Sequence, residues 1–238
     1  MWNGGIKMEK ELHKQAIKRN FIFWSKLAEK YIVITVGMML CYGIFLSYIG
    51  GKDSLWKSEM WQIMYIYQII LIIVSAIITP ASYGTTYIPL LMSFGSKRRE
   101  AVWGLQWMNW LVLIEMEAIL ILFAYLSSIK LEQFIVIIFV ALFGGIIGIA
   151  LGQIIMVCGF RFGMKGLILA TVVIVLLAVI GGNFILFYVN FGIRFDINLM
   201  GRKDWIWKAI GLSGLAIALY IGSNVVLLRI IQKYEVRR

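Results

Sequence analysis

Glu115 and Glu117 stand inside an otherwise apolar run between Leu111 and Ser127. Keeping an ionisable side chain out of water in such a run is costly, so each marks a function or a specific partner. Two positions apart on a helix, they point about 200° from one another, which excludes a shared acid/base pair. Two readings stay open. Glu115 lies little more than a turn beyond Trp110 and can reach lipid headgroups or a basic side chain, a structural role; or the pair serves a transport path or its coupling.

Other reactive residues are few. His13 is the single histidine, and Cys41 and Cys158 are far apart, so neither a metal site nor a histidine-based proton relay assembles from spacing. Both cysteines read as structural thiols. The sequence has no Gly-x-x-x-x-Gly-Lys-Ser/Thr loop to cradle a nucleotide and no serine in a Gly-x-Ser-x-Gly turn. The expectation is a chain that is not an enzyme and holds no cofactor or metal of its own.

The elements that carry these residues are long apolar runs. Of 238 residues, 61% are hydrophobic and 15% charged, with a mean hydropathy of +0.88. A soluble domain of this size has nowhere to bury that much apolar surface. Six runs are long enough to cross a bilayer, at about 31–49, 59–79, 111–127, 133–157, 167–188 and 205–228. The fold class expected is therefore an all-α membrane protein of six transmembrane helices, residues 31–229, followed by a basic tail, 230–238. The net charge of +11 sits at the ends of these runs instead of lining a groove, which points to a membrane surface and not to nucleic acid.

Residues 1–30 precede the first run. Leu12, Ala16, Ile17, Phe21, Trp24, Leu27, Ala28 and Tyr31 recur at three and four, with lysines mostly elsewhere, as in an amphipathic helix lying in a membrane interface. A solvated helix leading into the first span is the alternative. No apolar core precedes a small-residue cleavage site, so a removable signal is not expected. Pro80 kinks or breaks the second run; as a single helix, 61–92 would measure about 48 Å. Trp103, Trp107 and Trp110 recur at four and three, which predicts one helix face at headgroup level.

Gly144, Gly148 and Gly152, and again Gly214, Ala218 and Gly222, form small-residue stripes at four-residue spacing that allow close helix approach, within the chain or between copies. Cys158–Gly166 reads as a short basic loop carrying Arg161 and Lys165, Gly181-Gly182-Asn183 as a span end or re-entrant break, and 190–204 as the largest outside loop. With both termini inside the cell, sixteen of the 23 Lys and Arg fall on the cytoplasmic side, the arrangement the positive-inside rule favours.

Between the second and third runs stands Ser93-Phe94-Gly95-Ser96-Lys97-Arg98-Arg99-Glu100. Gly95 supplies a turn, Ser96 suits a helix N-cap, and Glu100 falls in the first turn, where negative charge is favoured. The basic triplet suits acidic groups on a partner or anionic lipid; a merely positive-inside loop is the plainer reading. This segment is similar to the Ser-x-Gly-x-x-Arg-(Lys/Arg)-(Glu/Asp) pattern of the membrane subunits of type 2 ATP-binding-cassette exporters, and the run order resembles theirs over essentially the whole chain.

The resemblance implies that Ser93–Glu100 forms a coupling helix docked on a separate nucleotide-binding ATPase subunit, which holds the ATP and Mg. It also implies short outside re-entrant helices before the last span and pairing with a second permease copy or a relative, in the cytoplasmic membrane. The expected function is a permease subunit exporting an amphipathic or hydrophobic substrate such as a peptide, lipid-like molecule or drug. The alternatives are an ion-coupled secondary carrier using Glu115 or Glu117, and a substrate-binding membrane component docked on a shared energising module.

Overall fold

A computed structural model of the chain describes the backbone of residues 3–50, 58–94, 96–126, 131–190 and 204–233, and most side chains within 15–45, 64–126, 134–176 and 207–233. Gly95, the side chain of His13, most of the expected outside loops (51–57, 127–130 and 191–203) and the tail past Lys233 lie outside the described residues. The described residues are helical, with no strand. The helices are α1 (Asn3–Gly50), α2 (Ser58–Ile78), α3 (Gly84–Ser93), α4 (Arg98–Leu126), α5 (Leu131–Asn190) and α6 (Asp204–Lys233), with a π-helical turn, Thr79–Tyr83, joining α2 to α3.

Five stretches among the described residues are long and apolar enough to cross a membrane: Ile17–Phe45, Tyr67–Ser93, Arg98–Leu126, Phe134–Ile174 and Ala209–Lys233. Their outer faces expose Ile34, Ile44, Phe45, Ile114 and Leu169, while Gln68, Gln106, Asn109 and Gln153 are buried. Water favours the reverse distribution. Apolar outside and polar inside is the arrangement a lipid environment stabilises, so the fold is that of a multi-pass membrane protein.

Several local expectations are revised. The amphipathic segment and the first run are one uninterrupted helix, α1, without the turn an in-plane helix needs before it enters the bilayer. The stripe it carries divides: Trp24 and Ala28 are buried in the main core with Leu27 and Tyr31 packed against it, whereas Ile17 and Phe21 are exposed. Pro80 does not break its helix. The helical path continues through it as a π turn, and beside it Thr79 Oγ1 donates back to the Ser75 carbonyl at 2.7 Å. Pro89 is carried inside α3 in the same helical path.

Cys158–Gly166, expected as a short basic loop, is helical except at one residue. Helix runs up to and away from Gly163 alone, which takes φ 67° and ψ −155°. That backbone region is essentially closed to other residues. In a straight helix, positions eight apart are about 12 Å distant along the axis. A Cβ on Gly166 would instead lie 2.6 Å from the Cys158 carbonyl oxygen, and one on Gly159 would lie 3.1 Å from Leu167. α5 is therefore two helices folded sharply at Gly163. The backbone at Gly181-Gly182-Asn183 stays helical, so no break occurs there.

The two small-residue stripes separate in role. A Cβ on Gly152 would meet the Ile77 carbonyl oxygen at 2.3 Å, and one on Gly148 would meet that of Ile73 at 3.0 Å. That stripe is the seam along which α5 lies against α2 within one chain. Gly214 and Gly222 have open space around them, and Ala218 is exposed.

Cross-helix pairs fix the helix directions. Asn20 meets Ser96 and Ser25 meets Trp107, so α1 and α4 run parallel. Gln68 meets Met116 while Met64 packs with Phe123, so α2 runs antiparallel to α4. Gln153 meets Gln106 while Gly145 lies against Leu113, and Tyr220 meets Trp110 while Gln232 meets Arg98, so the first half of α5 and α6 are antiparallel to α4 as well. Asn20, the α3–α4 corner, the fold at Gly163 and Lys233 consequently gather at one end of the bundle, here called the basic end.

Candidate functional site

The α3–α4 corner is built by four backbone bonds. Phe94 and Ser96 N–H groups reach back to the Leu90 and Leu91 carbonyls at 3.2 and 3.1 Å, and the Lys97 carbonyl accepts from Glu100 and Ala101 at 3.0 and 3.1 Å. Lys97, and not Ser96, thus occupies the N-cap of α4. Ser96 Oγ instead donates to Asn20 Oδ1 on α1 at 3.0 Å. Arg98 donates through Nη1 to the Gln232 carbonyl at the end of α6. There it also complements the negative end of that helix. Glu100 stands in the first turn of α4, at the end where a carboxylate is favoured.

The corner is tied to two other helices, yet part of it faces outward. Phe94 is 71% exposed, and Lys97 and Arg99 are exposed beside it. Immediately along α4, Gly104 admits the fully buried Trp24: a Cβ there would stand 2.2 Å from the indole Cδ1. Trp24 also packs edge-on to Phe23 and Tyr87, at centroid distances of 5.5 and 6.2 Å.

The three tryptophans of α4 do not share one surface. Trp103 and Trp107 wall a cavity of ≈ 300 Å³ between α1 and α4, with Phe21 and Asn20 opposite. Trp107 lies against Phe21 with ring centroids 4.7 Å apart and planes tilted by 32°, and donates to Ser25 Oγ at 3.2 Å. Trp110 turns to α6, where its Nε1 donates to the Tyr220 hydroxyl at 2.8 Å.

That hydroxyl belongs to a polar network in the bundle interior. Gln106 Oε1 accepts from Gln153 Nε2 at 2.9 Å and from Tyr220 at 3.1 Å, and Ser223 Oγ donates to Gln153 Oε1 at 2.6 Å. It joins α4, α5 and α6 where lipid offers no competing partners. Asn109 lines a narrow crevice beside Ser75 and Thr79, and neither of its amide atoms has a partner among the described residues.

The two acidic residues part company. Glu115 is exposed on the outer face of α4. Glu117 is 7% exposed, and neither carboxylate oxygen has a hydrogen-bond partner among the described residues. At the basic end Arg161 and Lys165 are both exposed on either side of Gly163.

Gln106, Asn109, Gln153, Tyr220 and Ser223 were not flagged by the sequence reading, which weighed only ionisable groups inside the apolar runs. An amide in a transmembrane run is a usable signal. Which amides meet depends on the register of α4, α5 and α6. Comparison of the chain with protein-family models, with curated proteins and with solved structures finds no match in any of the three.

Proposed function

We propose that the chain is the membrane permease subunit of an ATP-driven exporter, with Ser93–Glu100 as the dock for a separate nucleotide-binding subunit. One observation carries the reading. The corner is anchored inward, by Ser96 to α1 and by Arg98 to α6, while Phe94, Lys97 and Arg99 face outward. A partner that pushes on the outward residues moves three helices at once.

In this reading the chain crosses the cytoplasmic membrane six times, the fold at Gly163 turning α5 into two crossings. The basic end is cytoplasmic, where Lys97, Arg99, Arg161, Lys165 and Lys233 satisfy the positive-inside rule. ATP and Mg belong to the partner, and a second copy or a related permease completes the path. The substrate class is amphipathic or hydrophobic: a peptide, lipid-like molecule or drug.

The test is a photo-crosslinking residue at Phe94 in the full chain, expressed in its native membrane. An ATPase subunit is the expected adduct, and Lys97→Glu with Arg99→Glu abolishes it while the permease stays folded. Adducts to lipid alone would sink the proposal.

A second reading is favoured by Glu117, buried with both oxygens unpartnered among the described residues. In an ion-coupled carrier it would be the ion site. Transport that survives loss of any ATPase and collapses with the proton gradient selects that reading.

A further inference from the structure

Where the fold at Gly163 meets the end of α6, a cavity of ≈ 400 Å³ is lined by Phe160, Arg161, Ile230 and Lys233. It falls within the size range of small-ligand sites, about 300–1,000 Å³. Two of its walls are apolar and two are cationic. Arg161 keeps its guanidinium 5.3 Å above the Phe162 ring, which leaves its N–H fork available. No carboxylate lies within salt-bridge distance of Arg161 or Lys233 among the described residues. The two segments that line it, 133–190 and 205–234, contain no Asp or Glu, and the next acidic residue along the chain is Glu235.

A helix C-terminus ordinarily repels an anion. Here Arg98 already occupies the Gln232 carbonyl, the residue before Lys233. The last turn of α6 thus has a cation on its carbonyl end, and a third positive charge stands near the cavity. Arginine holds phosphate oxygens bidentately and lysine does so as a point charge. Basic pockets between helices at a membrane face suit lipid headgroups.

We infer that this cavity binds the phosphate of an anionic glycerophospholipid between Arg161 and Lys233, with the start of its acyl region against Phe160 and Ile230. The apolar walls select a lipid over a soluble phosphate. The site depends on the membrane location of the chain and not on the exporter reading, so either can fail without the other.

Native mass spectrometry of the detergent-solubilised full chain tests it, with phosphatidylglycerol, phosphatidylcholine or inorganic phosphate added at equal concentration. The wild type is expected to retain one phosphatidylglycerol in preference to phosphatidylcholine and to show no binding of inorganic phosphate. Arg161→Gln with Lys233→Gln should weaken phosphatidylglycerol binding about 25-fold, from about fivefold per cation. Phosphatidylcholine, whose choline cation offsets the same phosphate charge, should lose far less, and Lys26→Gln with Lys30→Gln, which removes two cations elsewhere, should leave the preference intact.

Equal retention of the two lipids by the wild type overturns the inference. Binding of inorganic phosphate overturns the lipid assignment, and a double variant that keeps its preference overturns the location. Should the double variant fail to fold, the single variants carry the same comparison at about fivefold each.

Discussion

At the residue scale the sharpest feature is Glu117, buried in the bundle with neither oxygen partnered among the described residues. An uncompensated buried charge is strongly destabilising, whereas a neutral side chain of the same shape is not. Glu117→Gln is therefore expected to leave the melting temperature of the detergent-solubilised chain unchanged or higher. A fall of several degrees would reveal a stabilising cation that the described residues do not supply. Gly104 gives the opposite case. A methyl group there would press on the Trp24 ring at 2.2 Å, and a buried indole cannot swing aside as a flexible chain end does. Overpacking of this kind costs about 1–3 kcal/mol. Gly104→Ala should lower thermal stability and shift tryptophan emission, and an unchanged spectrum would mean that α1 and α4 have slack at this contact.

At the element scale, two glycine stripes that look alike in sequence behave differently. Gly152 sits against the Ile77 carbonyl and Pro80, at the π turn, whereas Gly222 has open space. Gly152→Leu is expected to unseat α5 from α2 and abolish recovery of folded chain in detergent, while Gly222→Leu leaves the thermal stability of the chain intact. Equal behaviour of the two variants would contradict the packing. Gly163 is the other element-level hinge, and the cost of replacing it is confined to its backbone, since nothing lies within 4 Å of a Cβ there. Gly163→Ala should destabilise by about 1–3 kcal/mol, read as earlier thermal unfolding.

At the scale of the whole molecule, the basic end collects the α3–α4 corner, the fold of α5 and the end of α6. With Cys41 and Cys158 replaced by serine, single cysteines at Lys97, Lys165 and Lys233 are expected to react with a membrane-impermeant maleimide from the same side. Under six crossings, one at Arg194 reacts from the other. Labelling of Lys97 and Lys233 from opposite sides would contradict the antiparallel pairing of α4 with α6.

The sequence by itself determined the class of molecule. Runs such as 133–157 have no soluble solution, and basic residues at run ends mark membrane surfaces, because both follow from local transfer free energies. It also located the α3–α4 corner, since a serine- and glycine-containing turn followed by three cations interrupts an apolar chain. Which glycine stripe is a seam, which glutamate is buried and which amides form the Gln106–Gln153–Tyr220 network only the tertiary structure decided. A helix with apolar residues on most faces gives no local signal of which face meets protein and which meets lipid, because lipid tails are as apolar as the side chains they touch. Pro80 and Gly163 make the same point in the backbone. Proline promised a kink or a break and sits in a π turn, while an ordinary-looking glycine folds a 60-residue helical segment back on itself.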